Sequence, residues 1–189
     1  MSPQAVNLAG YSSRFSLRNR LGRLAWGCVR ALLFRLSPTP LFFWRNFLLR
    51  CFGARIGRAA HVYPSAKVWA PWNLSMGDHS CLASDVDCYC VAPVELGAHA
   101  TVSQYGYLCA ATHDYEDPEH RLVPGPIRIG AGAWLGADVF VGPNVAIGEG
   151  AVVGARASVF KDIPAWTVAV GNPARPLKPR VLRPAKGKA

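Results

Sequence analysis

IGAGAWLGADVFVGPNVAIGEGAVVGARASVF, residues 129–160, repeats in sixes. Ile129, Leu135, Val141, Ile147, Val153 and Val159 open successive hexads, and glycine follows five of these six. The same beat runs upstream. IGRAAH, VYPSAK and VWAPWN fill 56–73; MGDHSC, LASDVD and CYCVAP fill 76–93; LGAHAT, VSQYGY and LCAATH fill 96–113. Met76 and Cys88 are the mild exceptions to an aliphatic first residue. Two extra residues precede the second and third sets: Leu74 and Ser75, then Val94 and Glu95. VFKDIP, 159–164, is the last hexad.

A sustained period of six is a solenoid signal, and hexads are the mark of a parallel β-helix. Six residues make one short strand and one turn. The first residue points inward and stacks on its counterpart one coil away. Glycine and proline populate the turns. Three sides give a coil of 18 residues, and the two-residue extras lengthen two coils to 20. The predicted fold is mainly β, with about six coils between residues 56 and 164. Backbone groups pair coil to coil, so both ends need caps.

The beat breaks once, after His113. Residues 114–126 fit no hexad, and Ile127 and Arg128 are the same two-residue extra seen twice before. The coil therefore resumes in phase at Ile129. Residues 114–126 read as an excursion added to an undisturbed core, and long loops in compact folds tend to be functional. The excursion is expected to project and to wall a pocket beside His113, where Asp114, Glu116, Asp117 and Glu119 can bond polar ligand groups.

Charge sits at the ends. The formal net charge is +10, yet no acid precedes Asp78 or follows Asp162. Residues 1–77 carry ten arginines and Lys67, and residues 163–189 carry six more bases. Such ends suit nucleic acid, an anionic membrane surface or a phosphorylated small molecule. No RNA- or DNA-reading motif accompanies them, so nucleic acid is not expected. Residues 1–55 read as a helical cap, two short helices broken at Pro38 and Pro40. Leu21, Leu24, Val29, Leu32, Leu33 and Leu36 give an apolar face, interrupted by arginines. Within the helical stretch that begins at Ser16, the longest uncharged run, bounded by Arg35 and Arg45, spans only residues 36–44. A bilayer-spanning helix needs about 20 apolar residues. Capping the solenoid and touching an anionic membrane surface are both open. Residues 165–189 read as a basic C-terminal tail. The six cysteines form no CxxC pair, and the N-terminus has no cleavable signal pattern, so reduced thiols in a cytoplasmic protein are expected. Their spacing suits no zinc site, and no metal is expected.

The hexads, THD at 112–114, and GAWLGADVFVGPNVAIGEGAVVGARASVFKDIPAWTVAVGNPA at 132–174 resemble the hexapeptide-repeat O-acetyltransferases. The likeness is to the colanic acid biosynthesis branch, related to the maltose and galactoside acetyltransferases. FFWRNFLLRCFGARIG at 42–57 and SQYGYLCAATHD at 103–114 also have counterparts there. The resemblance implies a left-handed parallel β-helix, a homotrimer, acetyl-CoA as donor and a sugar or lipid-linked oligosaccharide as acceptor. Handedness and trimer rest on the resemblance alone.

The resemblance also implies site residues. His113 matches the family's general base, set before an excursion loop. Acetyl transfer from a thioester to an alcohol needs the alcohol proton removed as oxygen attacks. An imidazole suits that task near neutral pH. Trp134 matches a tryptophan beside the active site, and packing on a surface or subunit contact is its other reading. Ala137 and Ala155 match small positions beside the coenzyme. Lys161, Arg175 and Lys178 match bases near its phosphates, where charge-assisted bonds form. Asp114, Asp85 and Asp87 are candidates to contact the acceptor. Two positions that carry sugar contacts in the galactoside branch correspond to Ala83 and Val91, so a simple galactoside acceptor is not expected. Phe160 stands where many relatives have threonine. Cys109, four residues before His113, reads as structural.

Two other functions remain on this fold. A carbonic-anhydrase-like hydratase would hold zinc with several of His61, His79, His99, His113 and His120. A non-catalytic scaffold would use only the solenoid surface.

Overall fold

A computed structural model describes residues 6, 8 and 15–183. Its body is built from strands of two to four residues on three parallel faces. Face A stacks Arg55–Ile56, Leu74–Met76, Val94–Leu96, Ile127–Ile129 and Ala146–Ile147. Face B stacks His61–Val62, Cys81–Leu82, Thr101–Val102, Trp134–Leu135, Val152–Val153 and Thr167–Val170. Face C stacks Lys67–Val68, Asp87–Tyr89, Tyr107–Cys109, Phe140–Val141 and Ser158–Val159. The chain visits A, B and C in turn, so every parallel partner lies one coil away. Five coils are complete, and the Ile147–Ile163 bridge and Thr167–Val170 begin a sixth.

The hexad explains this core. Every opening residue is buried, from Ile56 to Val159, and Met76 and Cys88 fill the column like their aliphatic neighbours. The fifth position is a second inward site. Ala60, Ser80, Ala100, Ala133 and Ala151 are all buried at the corner between A and B, where only small side chains fit. The extras belong to face A. Leu74, Val94 and Ile127 are buried and in register with one another. Ile127 pairs with Val94 and Ile129 with Leu96, so the excursion leaves the coil register intact. Glycine follows the opening residue because coils meet closely there. A Cβ on Gly77 would lie 2.5 Å from the Ala98 nitrogen, and one on Gly130 2.5 Å from the Glu149 nitrogen.

Neighbouring coils exchange hydrogen bonds in both directions: Gly57 N donates forward to Met76 O at 2.7 Å, and His79 N donates back to Arg58 O at 2.9 Å. The first coil has no coil before it, so the backbone groups on its outer side need partners from a cap, and its carbonyls need donors. Helices α1 (Leu17–Val29) and α2 (Phe42–Cys51) do so. Trp26 Nε1 donates to Val68 O at 2.7 Å, Arg45 Nε to Val62 O at 2.6 Å, Asn46 Nδ2 to Ala60 O at 2.7 Å and Arg50 Nη2 to Ile56 O at 2.7 Å. Arg45 is fully buried. Its other nitrogens bond Ser37 Oγ, Pro38 O and Thr39 O, closing the turn between the helices. At the opposite end, N–H groups find acceptors further along the chain. Gly154 N finds Ala169 O, Ser158 N finds Gly171 O, and Ala146 N finds Asp162 Oδ1 at 2.8 Å.

Two expectations are sharpened. The excursion leaves the solenoid before residue 114: Ala111–His113 pairs antiparallel with Leu122–Pro124 as a hairpin. The C-terminal segment is not a loose tail over its first half. Thr167–Val170 joins face B, and Arg175–Pro179 folds back antiparallel upon it. Lys186 and Lys188 of the tail lie outside the described residues.

Candidate active site

His113 ends the first strand of the hairpin and pairs with Leu122. Midway along the excursion, the carbonyl of His120 turns back and lies 2.5 Å from His113 Nδ1. A carbonyl only accepts, so Nδ1 carries the proton in this contact. In the neutral ring the lone pair then sits on Nε2. The backbone thus selects the tautomer and aims the ring, which is how a general base is held.

The loop that supplies this carbonyl is organised by its own charges. Asp114 Oδ1 accepts from Glu116 N at 3.0 Å, and Asp117 Oδ1 accepts from Glu119 N at 3.1 Å. Arg121 Nε sits 2.7 Å from Asp117 and 3.3 Å from Glu119. His120 N donates to Asp117 O at 2.8 Å, and His120 adopts a φ of 46°. Three of the four loop acids therefore shape the hairpin that orients His113.

Other candidates fall on different surfaces. Trp134 lies on face B, half-exposed, with Nε1 donating to Ser103 Oγ at 2.9 Å. Ala137 and Ala155 occupy the corner between B and C on successive coils, linked by Arg156 N to Ala137 O at 2.9 Å. The coils are tight beside them, since a Cβ on Gly136 would lie 2.7 Å from Ala155 N. Asp85 shares that corner two coils earlier, at a φ of 60°. Asp87 is on face C, 3.4 Å from Lys67, in the column that continues to Tyr107. Lys161 is exposed at the corner between C and A, where the hairpin also emerges. Arg175 and Lys178 are exposed on the terminal hairpin. One chain brings Trp134, Ala137 and Ala155 to one side and His113, Asp87 and Lys161 to another.

A cleft of about 310 Å³ opens beside the hairpin. Cys109, Ala111 and Thr112 line one wall, and Phe140, Gly142, Pro143 and Phe160 the other. Cys109 Sγ lies 3.1 Å from Ala111 O, a local backbone contact that fits a structural thiol. Tyr107 beneath is held protonated far above the usual tyrosine range, first by burial and then by Cys109 and the Asp87 charge. The aromatic wall runs on, with Tyr107, Phe140 and Phe160 in successive ring contacts at 5.6 and 5.5 Å.

Comparison with known proteins settles the family. A model of the bacterial transferase hexapeptide (six repeats) matches residues 126–161. The chain is 44% identical over 177 residues to a protein named as a colanic acid biosynthesis acetyltransferase, WcaF of Escherichia coli (strain K12). That match spans 93% of this chain and 97% of WcaF. This chain belongs to the hexapeptide-repeat acetyltransferases. Among solved members, it superposes on a maltose O-acetyltransferase from Clostridium difficile 630 with a TM-score of 0.81, at 26% identity over 88% of this chain and 90% of that one. It superposes on a galactoside acetyltransferase in complex with coenzyme A with a TM-score of 0.75, at 25% identity over 88% and 84%.

In this hexapeptide-repeat acetyltransferase, His113 and Asp114 stand where the repeat fails, while Trp134, Ala137, Ala155, Asp85 and Asp87 stand on regular coils. The signal for the His120 carbonyl was absent from the sequence, because a backbone group has no residue type. Phe140 carried no signal beyond its place as the last residue of the hexad LGADVF. Among the described residues, no three His, Cys, Asp or Glu side chains converge as a metal site. His79 and His99 stack at 5.0 Å on a corner remote in sequence from the hairpin, and His61 stacks on Phe42 at 4.3 Å.

Proposed function

We propose that this chain is an acetyl-CoA-dependent O-acetyltransferase acting on a sugar hydroxyl, in an exopolysaccharide of the colanic acid kind or its lipid-linked precursor. The observation that carries the reading is the His113–His120 contact, on a chain so similar to WcaF along nearly its whole length.

His113 Nε2 takes the proton of the acceptor hydroxyl as its oxygen bonds to the thioester carbonyl carbon. The carbon–sulfur bond breaks, and His113 returns the proton to the departing thiolate. No covalent enzyme intermediate is needed, because the thioester is already activated. The charge that develops on the carbonyl oxygen needs a nearby N–H donor. Asp114, Asp85 and Asp87 are the acids assigned to the acceptor, with Asp114 nearest to His113 in sequence.

The residues fit the donor. The crowded corner at Ala137 and Ala155 offers a narrow backbone-lined path for a pantetheine arm. Arg175 and Lys178 stand exposed at the end of that path, and Lys161 on the next corner, for the phosphates. Phe160, exposed and in the aromatic wall, is a surface for the adenine.

The separation of His113 from Trp134 within one chain supports a homotrimer wound from left-handed solenoids. One copy brings the His113 edge, and its neighbour brings the edge of Trp134, Ala137 and Ala155. The same reading places the enzyme in the cytoplasm, at the membrane's inner face. The domain division follows it: a cap at 1–55, the transferase solenoid at 56–164 with its excursion, and a C-terminal segment at 165–189.

The test uses labelled acetyl-CoA and a panel of exopolysaccharide intermediates. Labelled carbohydrate is expected with the wild type and not with His113→Ala. A hydratase would instead be active without any acyl donor and only when metal-loaded.

A further inference from the structure

The capping chemistry uses some of the N-terminal arginines. Arg45 and Arg50 serve the first coil's carbonyls. Arg23 lies over the rings of Phe15 and Trp69, at 5.0 and 4.4 Å. Arg18, Arg20 and Arg35 are instead exposed. They border an apolar stripe that faces away from the solenoid. On α1 and the π-helical turn that continues it, Arg30–Phe34, the stripe comprises Leu17, Leu21, Leu24 and Leu32. These residues are 71%, 56%, 67% and 67% exposed. Their spacing of three, four and eight keeps them on one helical side, with Arg18 and Arg20 on its two flanks. Of the apolar face predicted from sequence, Leu21, Leu24, Leu32, Leu33 and Leu36 point outward, while Val29 packs against the core. The face extends onto α2, where Phe43 and Phe47 are exposed at helical spacing. Trp44 joins the two patches, stacking on Phe47 and donating to the Leu33 carbonyl at 3.0 Å.

We infer that the two helices dock on the surface of an anionic lipid bilayer. A solvated cap has no use for leucines at these exposures, and exposed apolar patches mark interaction sites. The charge identifies the occupant. No acid occurs before Asp78, so the stripe is framed by arginine alone. A protein partner with a simple apolar groove would not need that frame, whereas anionic headgroups pair with it while acyl chains take the leucines. No helix among the described residues is long and apolar enough to cross a membrane, so the contact is peripheral. Docking would bring a lipid-linked acceptor to the enzyme in two dimensions. The inference stands on the helices and does not require the acyl-transfer reading.

Flotation of the full chain with phosphatidylcholine vesicles, with and without phosphatidylglycerol, tests it. The wild type is expected to float with the anionic vesicles at least about tenfold more than with neutral ones, and to be released by about 0.5 M salt. Leu21→Ser/Leu24→Ser/Leu32→Ser keeps the charge, and Arg18→Gln/Arg35→Gln keeps the stripe. Each is expected to lose most of the binding with the circular dichroism spectrum unchanged. Equal flotation with both vesicle types, or undiminished flotation of the serine variant, overturns the inference. So does a serine variant whose oligomeric mass falls while its flotation persists, since the stripe would then belong to a second copy of this chain. Acetyl transfer to a water-soluble acceptor by the serine variant is expected to match wild type, which separates this outcome from a failure of the catalytic reading.

Discussion

His113 Nδ1 lies 2.5 Å from the carbonyl oxygen of His120, seven residues further along the same hairpin. The excursion therefore holds the ring by presenting an acceptor to one of its nitrogens. Under the proposed function the other nitrogen is the base, His113→Ala removes it, and a positioned general base contributes about a hundred- to ten-thousand-fold. Turnover is expected to fall by that order. The thermal midpoint should stay near wild type, because His113 is exposed and outside the core. Steady-state assay and a melting curve on the same preparation check both halves.

Arg121 acts through the loop. It ties Asp117 and Glu119, and both ion pairs are partly exposed. Exposed pairs are worth about 0–1 kcal/mol. Arg121→Gln is expected to lower kcat by less than about tenfold, far less than His113→Ala. A loss as large as that of His113→Ala would mean that Arg121 touches the reactants directly.

How much of this was legible is clearest at the hexads. One inward residue in six is a strong periodic signal because the core is a set of columns, each filled once per coil. That was enough to place Ile56, Leu96 and Ile147 in one column and to restart the phase at Ile129. The hexad phase also held the information that His113 and Trp134 lie on different faces. Trp134 closes a first hexad and His113 a third, yet both read simply as outward. The hairpin's start at Ala111 was hidden, because 111–113 complete a formally regular hexad. Arg45 was the least legible residue. It stands in a basic run and reads as surface charge. Its burial follows from a property of the whole stack, whose first coil has no coil before it and so calls for donors to its outward carbonyls, Val62 O among them.

Arg45 should be the most sensitive residue of the cap. Removing its side chain strands Val62 O, Pro38 O, Thr39 O and Ser37 Oγ in a buried site. Breaking a buried charged network of this kind costs about 3–5 kcal/mol. Arg45→Ala is expected to lower denaturant stability by that order, while Arg35→Ala, exposed, should change it by less than about 0.5 kcal/mol. Urea unfolding followed by circular dichroism compares the two.

Gly77 tests the coil spacing. Its missing Cβ faces the backbone of Ala98 at 2.5 Å, and backbone cannot step aside. Gly77→Ala is expected to destabilise by about 1–3 kcal/mol, as overpacking does. Gly132→Ala meets nothing within 4 Å and strains only its own φ of 64°. It should cost less, by thermal or urea unfolding.

A site assembled from two copies makes a distinctive prediction. His113→Ala and Trp134→Ala chains, each weak alone, are expected to regain activity when unfolded and refolded together. Random mixing leaves about a quarter of the interfaces with both native residues, so about a quarter of wild-type activity should return. Mixing without refolding provides the control. No recovery would place both residues in the site of a single chain.

The central claim is that His113 drives acetyl transfer from acetyl-CoA to a carbohydrate hydroxyl. It is tested most directly by incubating wild type and His113→Ala with radiolabelled acetyl-CoA and exopolysaccharide intermediates, then counting label in the carbohydrate. The account predicts label with the wild type and a loss of at least about a hundredfold in the folded variant. Equal labelling by both proteins, or no labelled carbohydrate with either, would contradict it.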